Sequence, residues 1–294
     1  MEGKSPVYYQ DVEKCVDDVI NKVGKDIVFG MPLGLGKPNQ FANALYRRAK
    51  EDPSMNLVFV TALSLEKPKG ASDLEQKFLG PFVERKFDGY VELDYMLDLR
   101  KGQLPENFEL REFYAKAGSY INVDQAQMNY ISSNYTHAWR DSIDNGINVA
   151  AQMVCKKEID GEILYSMSCN PEVTLDISPA MRELEKQGKK IAIIAQVNQN
   201  LPFMYGDAVV KGEDFDAIID SPEYTTRLFG APKMSITTPD YMIGMYASTL
   251  IKDNGTLQIG IGSLGDALCY GLRMRHTNNT EYKKFVNDTG IIGK

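Results

Sequence analysis

Asp26-Ile27-Val28-Phe29-Gly30-Met31-Pro32-Leu33-Gly34-Leu35-Gly36-Lys37-Pro38 begins as a short apolar run and passes directly into a loop rich in Gly and Pro. An apolar run of this length, bounded by turn residues, predicts a buried strand. A helical pattern follows over residues 39–50, so the unit is strand, tight loop, helix. Upstream, Val12, Val16, Val19, Ile20 and Val23 stand at helical spacing with Gly24 as a stop, which predicts a helix over 11–23. Downstream, Asn56-Leu57-Val58-Phe59-Val60 is a continuous apolar strand of the kind found in parallel sheets covered on both faces.

The alternation continues along the chain. Residues 67–110 are charged and irregular and read as mostly helical. Tyr120-Ile121-Asn122-Val123 and Asn148-Val149-Ala150-Ala151-Gln152-Met153-Val154 read as strands flanking a helix around 135–145, which Gly146 caps. Residues 161–168 form another strand, 178–187 a helix closed by Gly188, and Lys190-Ile191-Ala192-Ile193-Ile194-Ala195-Gln196-Val197-Asn198 a central strand. Repeated strand-helix units predict an open, mainly parallel α/β sheet with helices on both faces over 1–220. Residues 221–239 lose periodicity around Pro222, Pro232 and Pro239 and read as a linker. From 240 a new unit begins: a helix over 240–252, a strand Thr256-Leu257-Gln258-Ile259, the loop Gly260-Ile261-Gly262-Ser263-Leu264-Gly265, a helix over 266–275 and a polar tail over 276–294. That order predicts the start of a second α/β domain, incomplete over 240–294.

The 294 residues are 43% hydrophobic and 25% charged, which gives a globular chain with enough apolar side chains for a core. A net charge of -7 and no long Lys/Arg run argue against nucleic acid and anionic lipid as partners. No apolar run approaches the ~20 residues of a membrane span and the N-terminus lacks an apolar signal core, so the expected location is cytoplasmic. Cys15, Cys155, Cys169 and Cys269 are widely spaced, and the two histidines, His137 and His276, are too few for a histidine-rich metal site. The expectation is therefore no metal and no disulfide framework. His137 reads as a packed or capping residue, and the stretch 127–140, with Tyr130, Tyr135 and Trp139, as core packing before pocket lining.

Two loops carry chemistry. Gly260-x-Gly262-x-x-Gly265 satisfies the dinucleotide-binding pattern, with Glu281 near the position of a ribose-binding acid. Small residues there allow close backbone approach, and N–H groups at the helix start suit an anion or a developing oxyanion; a tight turn without ligand is the equal alternative. The 30–38 loop fails as a P-loop because Pro38 follows Lys37 where Ser or Thr would hold Mg²⁺, and fails the dinucleotide pattern because Asn39 replaces the third glycine. A ligand-facing loop and a rigid turn both remain open for it.

Several segments together resemble the acetyl-CoA hydrolase and 4-hydroxybutyrate CoA-transferase branch of the CoA-transferases. The paired stretches 148–154 and 161–168 are similar to the family's paired strands. Ala195-Gln196-Val197-Asn198-Gln199-Asn200-Leu201-Pro202, continuing to Gly206-Asp207, is similar to the signature ending its N-terminal domain. Leu257-Gln258-Ile259-Gly260-Ile261-Gly262-Ser263-Leu264-Gly265-Asp266-Ala267 is similar to the CoA-contacting loop of its second domain, with Gly265 where many relatives have Pro.

The resemblance implies coenzyme A and acyl-CoA as substrates with a carboxylate acceptor, no tightly bound cofactor, and either transferase or hydrolase chemistry through a glutamyl-CoA thioester. It implies CoA contacts from Gly260, Ile261, Gly262, Ser263 and Leu264. The 30–38 loop is expected to face an interdomain cleft lined by Gly30, Pro32, Gly34, Gly36, Asn198 and Pro202. The family's nucleophilic glutamate is expected beyond Lys294, with Glu281 a poor substitute because its surroundings do not mark a buried strand; the chain alone is expected to be inactive. A homo-oligomer is left open. Two other readings stay beside this one: an NAD-dependent oxidoreductase using Gly260-x-Gly262-x-x-Gly265, and a non-catalytic CoA-binding module.

Overall fold

The computed structural model describes residues 5–228 and 235–291. In chain order the first elements are β1 (Val7–Tyr9), α1 (Val12–Val23), β2 (Asp26–Gly30), α2 (Asn39–Glu51), β3 (Asn56–Thr61), α3 (Asp73–Lys86), α4 (Asp94–Lys101) and β4 (Phe108–Glu112). They are followed by α5 (Asp124–Met128), α6 (Ala138–Asp144), β5 (Val149–Ile159), β6 (Glu162–Ser166), α7 (Thr174–Lys186), β7 (Ala192–Val197), β8 (Val209–Lys211) and β9 (Ala217–Ile219). Three helices complete the series: α8 (Thr238–Ser248), α9 (Ser263–Thr277) and α10 (Asn279–Asp288). The chain divides into two compact units, 1–229 and 230–294, a division that falls inside the proline-rich 221–239 segment. Pro232 of that segment lies outside the described residues.

Local chemistry sets the boundaries of α1. Asp11 caps the helix by accepting from the Glu13 N–H at 2.9 Å, and Gly24, at φ 94°, ends it by donating to the Ile20 carbonyl. Its buried stripe of Val12, Cys15, Val16, Val19 and Val23 docks on the sheet.

Seven strands form a parallel sheet in the order β1-β9-β7-β5-β2-β3-β4. Because side chains alternate across a strand, each buried strand feeds two cores. Ile27, Phe29, Leu57, Phe59, Phe108 and Leu110 pack on one face with α1, α2 and α4. Ile193, Ala195, Val197 and Ile218 pack on the other with Ile177 and Met181 of α7 and with Trp139 and Ile143 of α6. The fold is therefore the expected α/β sheet with helices on both faces. Strand β5 is long enough to belong to two layers: it pairs with β7 through Val154, then with β6 in antiparallel register from Cys155 to Ile159, and β6 pairs onward with β8.

Several elements depart from the sequence reading. Residues 120–123 form a turn, with Asn122 at φ 63°, and pair with no strand. Strand β4 was hidden in the segment read as mostly helical, since its alternation of Phe108 and Leu110 with charged Glu109 and Arg111 spans only five residues. Strands β1, β8 and β9 have three residues each, too few to show a period. In the second unit, 256–259 is not a strand: among the described residues 235–291 there are only helices, so an extended segment has no partner for its backbone. The polar tail contains α10. Helices α8 and α9 meet at glycine, where a Cβ on Gly244 would lie 2.6 Å from the Ala267 carbonyl carbon. Among the described residues no helix is long and apolar enough to cross a membrane.

Candidate functional site

The sheet order defines a switch point. From β2 the chain moves outward through β3 to β4, whereas β5, β7 and β9 proceed in the opposite direction, so β2 and β5 are neighbours whose connections diverge. In open α/β sheets the crevice beyond the carboxyl ends of such strands is where ligands bind. The 30–38 loop leaves β2 at this place. Within it Gly36 lies in close approach, since a Cβ there would lie 2.3 Å from Oδ1 of Asn170.

A cavity of about 30 Å³ opens at the switch point, lined by Gly30, Pro32, Phe113, Tyr135, Gln152 and Thr174 among others. Gln152 of β5 is 2% exposed. The Thr174 hydroxyl donates to its Oε1, while its Nε2 has no hydrogen-bond partner among the described residues. Gly30 and Pro32 thus lie on the wall of one cavity. Gly34 lines a separate hollow of about 20 Å³ with Lys37, Met153 and Thr226.

Two buried polar residues at the end of β7 brace this region. Gln196 accepts from the Phe41 N–H at 3.2 Å, satisfying one of the open donors at the start of α2, and donates to Gln40 Oε1 at 2.7 Å. Asn198 donates from Nδ2 to the Thr226 carbonyl at 3.2 Å and hydroxyl at 3.1 Å, and accepts from the Asn200 N–H at 3.0 Å. Its polar groups tie β7 to residue 226 and do not line the cavity; Pro202 is exposed. Gln196 and Asn198 of the 195–202 stretch thus brace α2 and residue 226.

Lys37 is turned inward. It is 1% exposed, and its Nζ donates to the Pro32 and Ala62 carbonyls at 2.7 Å each and to the Thr61 hydroxyl. Burial pushes the ammonium down to about 7, with the negative charge of Glu112 opposing the shift. Glu112 is itself buried, accepting from the Ser64 N–H at 2.9 Å, the Ser64 hydroxyl at 2.6 Å and the Tyr120 hydroxyl. Lys37 and Glu112 thus join the loops that follow β2, β3 and β4. The lysine is unavailable to a phosphate.

In the second unit, Gly260, Ile261, Gly262 and Leu264 are exposed and Ser263 is half-buried at the start of α9. Gly262, at φ 146°, is the residue before that helix. A Cβ on Gly265 would lie 2.3 Å from the Gly260 carbonyl oxygen, so the turn closes on glycine. The dinucleotide pattern lacks the strand it needs in front. Glu281 is exposed in the first turn of α10, where a carboxylate complements the helix dipole.

His137 is exposed and stands at the N-cap position of α6 without a side-chain cap bond, so it is not the packed residue that was one of its two expected roles. Tyr135 lines the cavity and donates to Glu172, so one aromatic of the 127–140 stretch does face a pocket. Gln152 was not singled out as a site residue. The available signal was an amide in the middle of an otherwise apolar strand.

Comparison with known proteins places this geometry in a class. The 4-hydroxybutyrate coenzyme A transferase of Clostridium kluyveri is 35% identical over 81 residues, 28% of this chain and 18% of that protein. The succinyl-CoA:cyclohexane-1-carboxylate CoA transferase of Geobacter metallireducens is 27% identical over 165 residues, 54% of this chain and 37% of that protein. Among solved structures, RipA from Yersinia pestis matches with a TM-score of 0.60 at 18% identity, over 90% of this chain and 55% of that one. A 4-hydroxybutyrate CoA-transferase from Porphyromonas gingivalis matches with a TM-score of 0.51 at 17% identity, over 89% of this chain and 50% of that one. No family model matches. The fold is CoA-transferase-like. The chain resembles the 4-hydroxybutyrate CoA-transferase branch in sequence, and spans about half the length of the solved structures it matches.

Proposed function

We propose that this chain supplies the crevice-bearing part of an acyl-CoA:carboxylate CoA-transferase. The observation that carries it is the switch-point cavity with its buried, half-satisfied Gln152 amide, placed in a chain whose sequence resembles CoA-transferases. In this reading a glutamate from outside residues 1–294 attacks the thioester carbonyl and expels CoA thiolate, leaving an acyl-glutamyl anhydride. The thiolate then attacks the glutamyl carbonyl, releases the carboxylate and leaves a glutamyl-CoA thioester; a second carboxylate reverses both steps. Covalent division of this kind predicts ping-pong kinetics. The exposed 260–264 loop is the proposed CoA contact, offering backbone N–H groups at the start of α9.

The test compares acyl-CoA exchange with a labelled carboxylate by residues 1–294 and by a chain extended through the proposed glutamate, with hydroxylamine to trap the glutamyl-CoA thioester. Exchange and a trapped adduct only in the extended chain are expected. Equal exchange by residues 1–294 would place the nucleophile inside them, and absence of exchange from both would reject the transferase reading.

A further inference from the structure

We propose that the cavity between β2 and β5 is a subsite for an uncharged carbonyl oxygen at the end of a short acyl group, with Gln152 Nε2 as its hydrogen-bond donor. Gln152 sits on β5 between Ala151 and Met153, in a strand that is buried from Val149 to Cys155. An amide in such a place costs free energy wherever one of its groups goes unpaired. Its Oε1 accepts from the Thr174 hydroxyl, and Nε2 is the group left over. The other polar side chains on the wall are already used: Ser142 donates to the Ala138 carbonyl at 2.7 Å, and the Tyr135 hydroxyl donates to Glu172.

The wall chooses the ligand's charge. Met31, Pro32, Leu33, Phe113 and Val173 are apolar, and no Lys, Arg, His, Asp or Glu is among the described residues that line the cavity. A carboxylate there would lose its hydration and find no cation, whereas a carbonyl oxygen needs only the one N–H available. Size chooses the rest. At about 30 Å³ the cavity takes a group of only a few heavy atoms, which suits the end of an acyl chain and not a whole CoA moiety. That the occupant is an acyl group rests on the transferase reading; the preference for a neutral carbonyl rests on the cavity alone.

The Gln152 side-chain amide can be observed directly. In the ¹⁵N-labelled 294-residue chain its NH₂ signals are identified by their loss in Gln152→Leu, and acetone and acetate are titrated as neutral and charged probes. Acetone should shift them saturably, with acetate at least tenfold weaker. Gln152→Leu should remove the saturable acetone response of the Ala151 backbone amide. Val173→Phe, which narrows the cavity from its wall, should weaken the same response if Gln152→Leu does not fold. A Gln152 amide that shows only contact with bound water and no acetone response overturns the proposal, as does equal binding of acetate. A positive acetone titration with no acyl-CoA exchange by the extended chain would sink the transferase reading and leave the subsite standing.

Discussion

Residues 5–228 and 235–291 bury apolar surface by different means. In the first, Phe29, Tyr95 and Phe108 each lie edge to face with Phe59, centroids 5.0–5.2 Å apart, between a parallel sheet and its helices, all four at 3% exposure or less. In the second, three helices bury Met245, Ala267, Tyr282 and Val286, while Leu250 and Ile261 are 81% and 97% exposed. A sheet covered on both sides shares each strand between two cores; helices with small residues at their crossing rely on close backbone approach. The first arrangement therefore depends on side-chain volume and the second on the absence of side chains.

Truncation tests that contrast most strongly. Phe59→Ala should cost about 3–5 kcal/mol in urea unfolding monitored by tryptophan fluorescence, because it opens a cavity within the aromatic cluster. Met245→Ala should stay near the lower end of the large-to-small range, about 2 kcal/mol, since the surrounding unit can relax. Equal losses would erase the distinction. Enlarging glycines should reverse the ranking: Gly244→Ala meets backbone of α9 and should cost about 1–3 kcal/mol by circular dichroism of thermal unfolding. Gly36→Ala meets a side chain and not backbone, with Oδ1, Cγ and Cβ of Asn170 at 2.3, 2.7 and 2.9 Å, and should cost less because Asn170 can be displaced as a whole.

The buried Lys37 sharpens the comparison through pH. Lys37 is held near 7 in the fold and has its ordinary value of 10.5 when unfolded, so between these values the unfolded chain binds more protons. Stability should therefore rise with pH through that window, and the cost of burying the ammonium should be fully present below it. Lys37→Met should flatten this dependence in denaturant titrations at pH 6.5, 8 and 9.5. Parallel slopes for the two proteins would mean that the three oxygen acceptors on Nζ hold the lysine at its ordinary value. The smallest effect belongs to Glu281→Gln, an exposed substitution in the first turn of α10, expected within about 0.5 kcal/mol of the wild type in thermal unfolding.

Much of the first unit was legible because its strands are continuous apolar runs and its helices carry explicit stops. Ile27, Phe29, Leu57, Phe59 and Ile193 fall where the runs placed them, and Asp11 and Gly24 bound α1 as their chemistry requires. The three-residue strands and β4 were not legible, because pairing and not periodicity makes them strands. At the candidate site, the glycine-rich 30–38 loop was conspicuous, yet only part of it reaches the cavity. Asn198 stood out for its motif and proved to be a brace for Thr226, while Gln152, one amide among Ala and Met, holds the unpaired donor.

By itself the sequence determined which segments are buried, where the first helix starts and stops, and that the strands belong to a parallel sheet, since each of these follows from local spacing and side-chain type. Only the tertiary structure decided that β2 and β5 are neighbours, that Lys37 turns inward to Pro32, Thr61 and Ala62, and that Thr174 fixes one end of the Gln152 amide. Those outcomes depend on which distant groups meet. A buried group's partners are set by strand order and loop closure, and neither leaves a period in the chain.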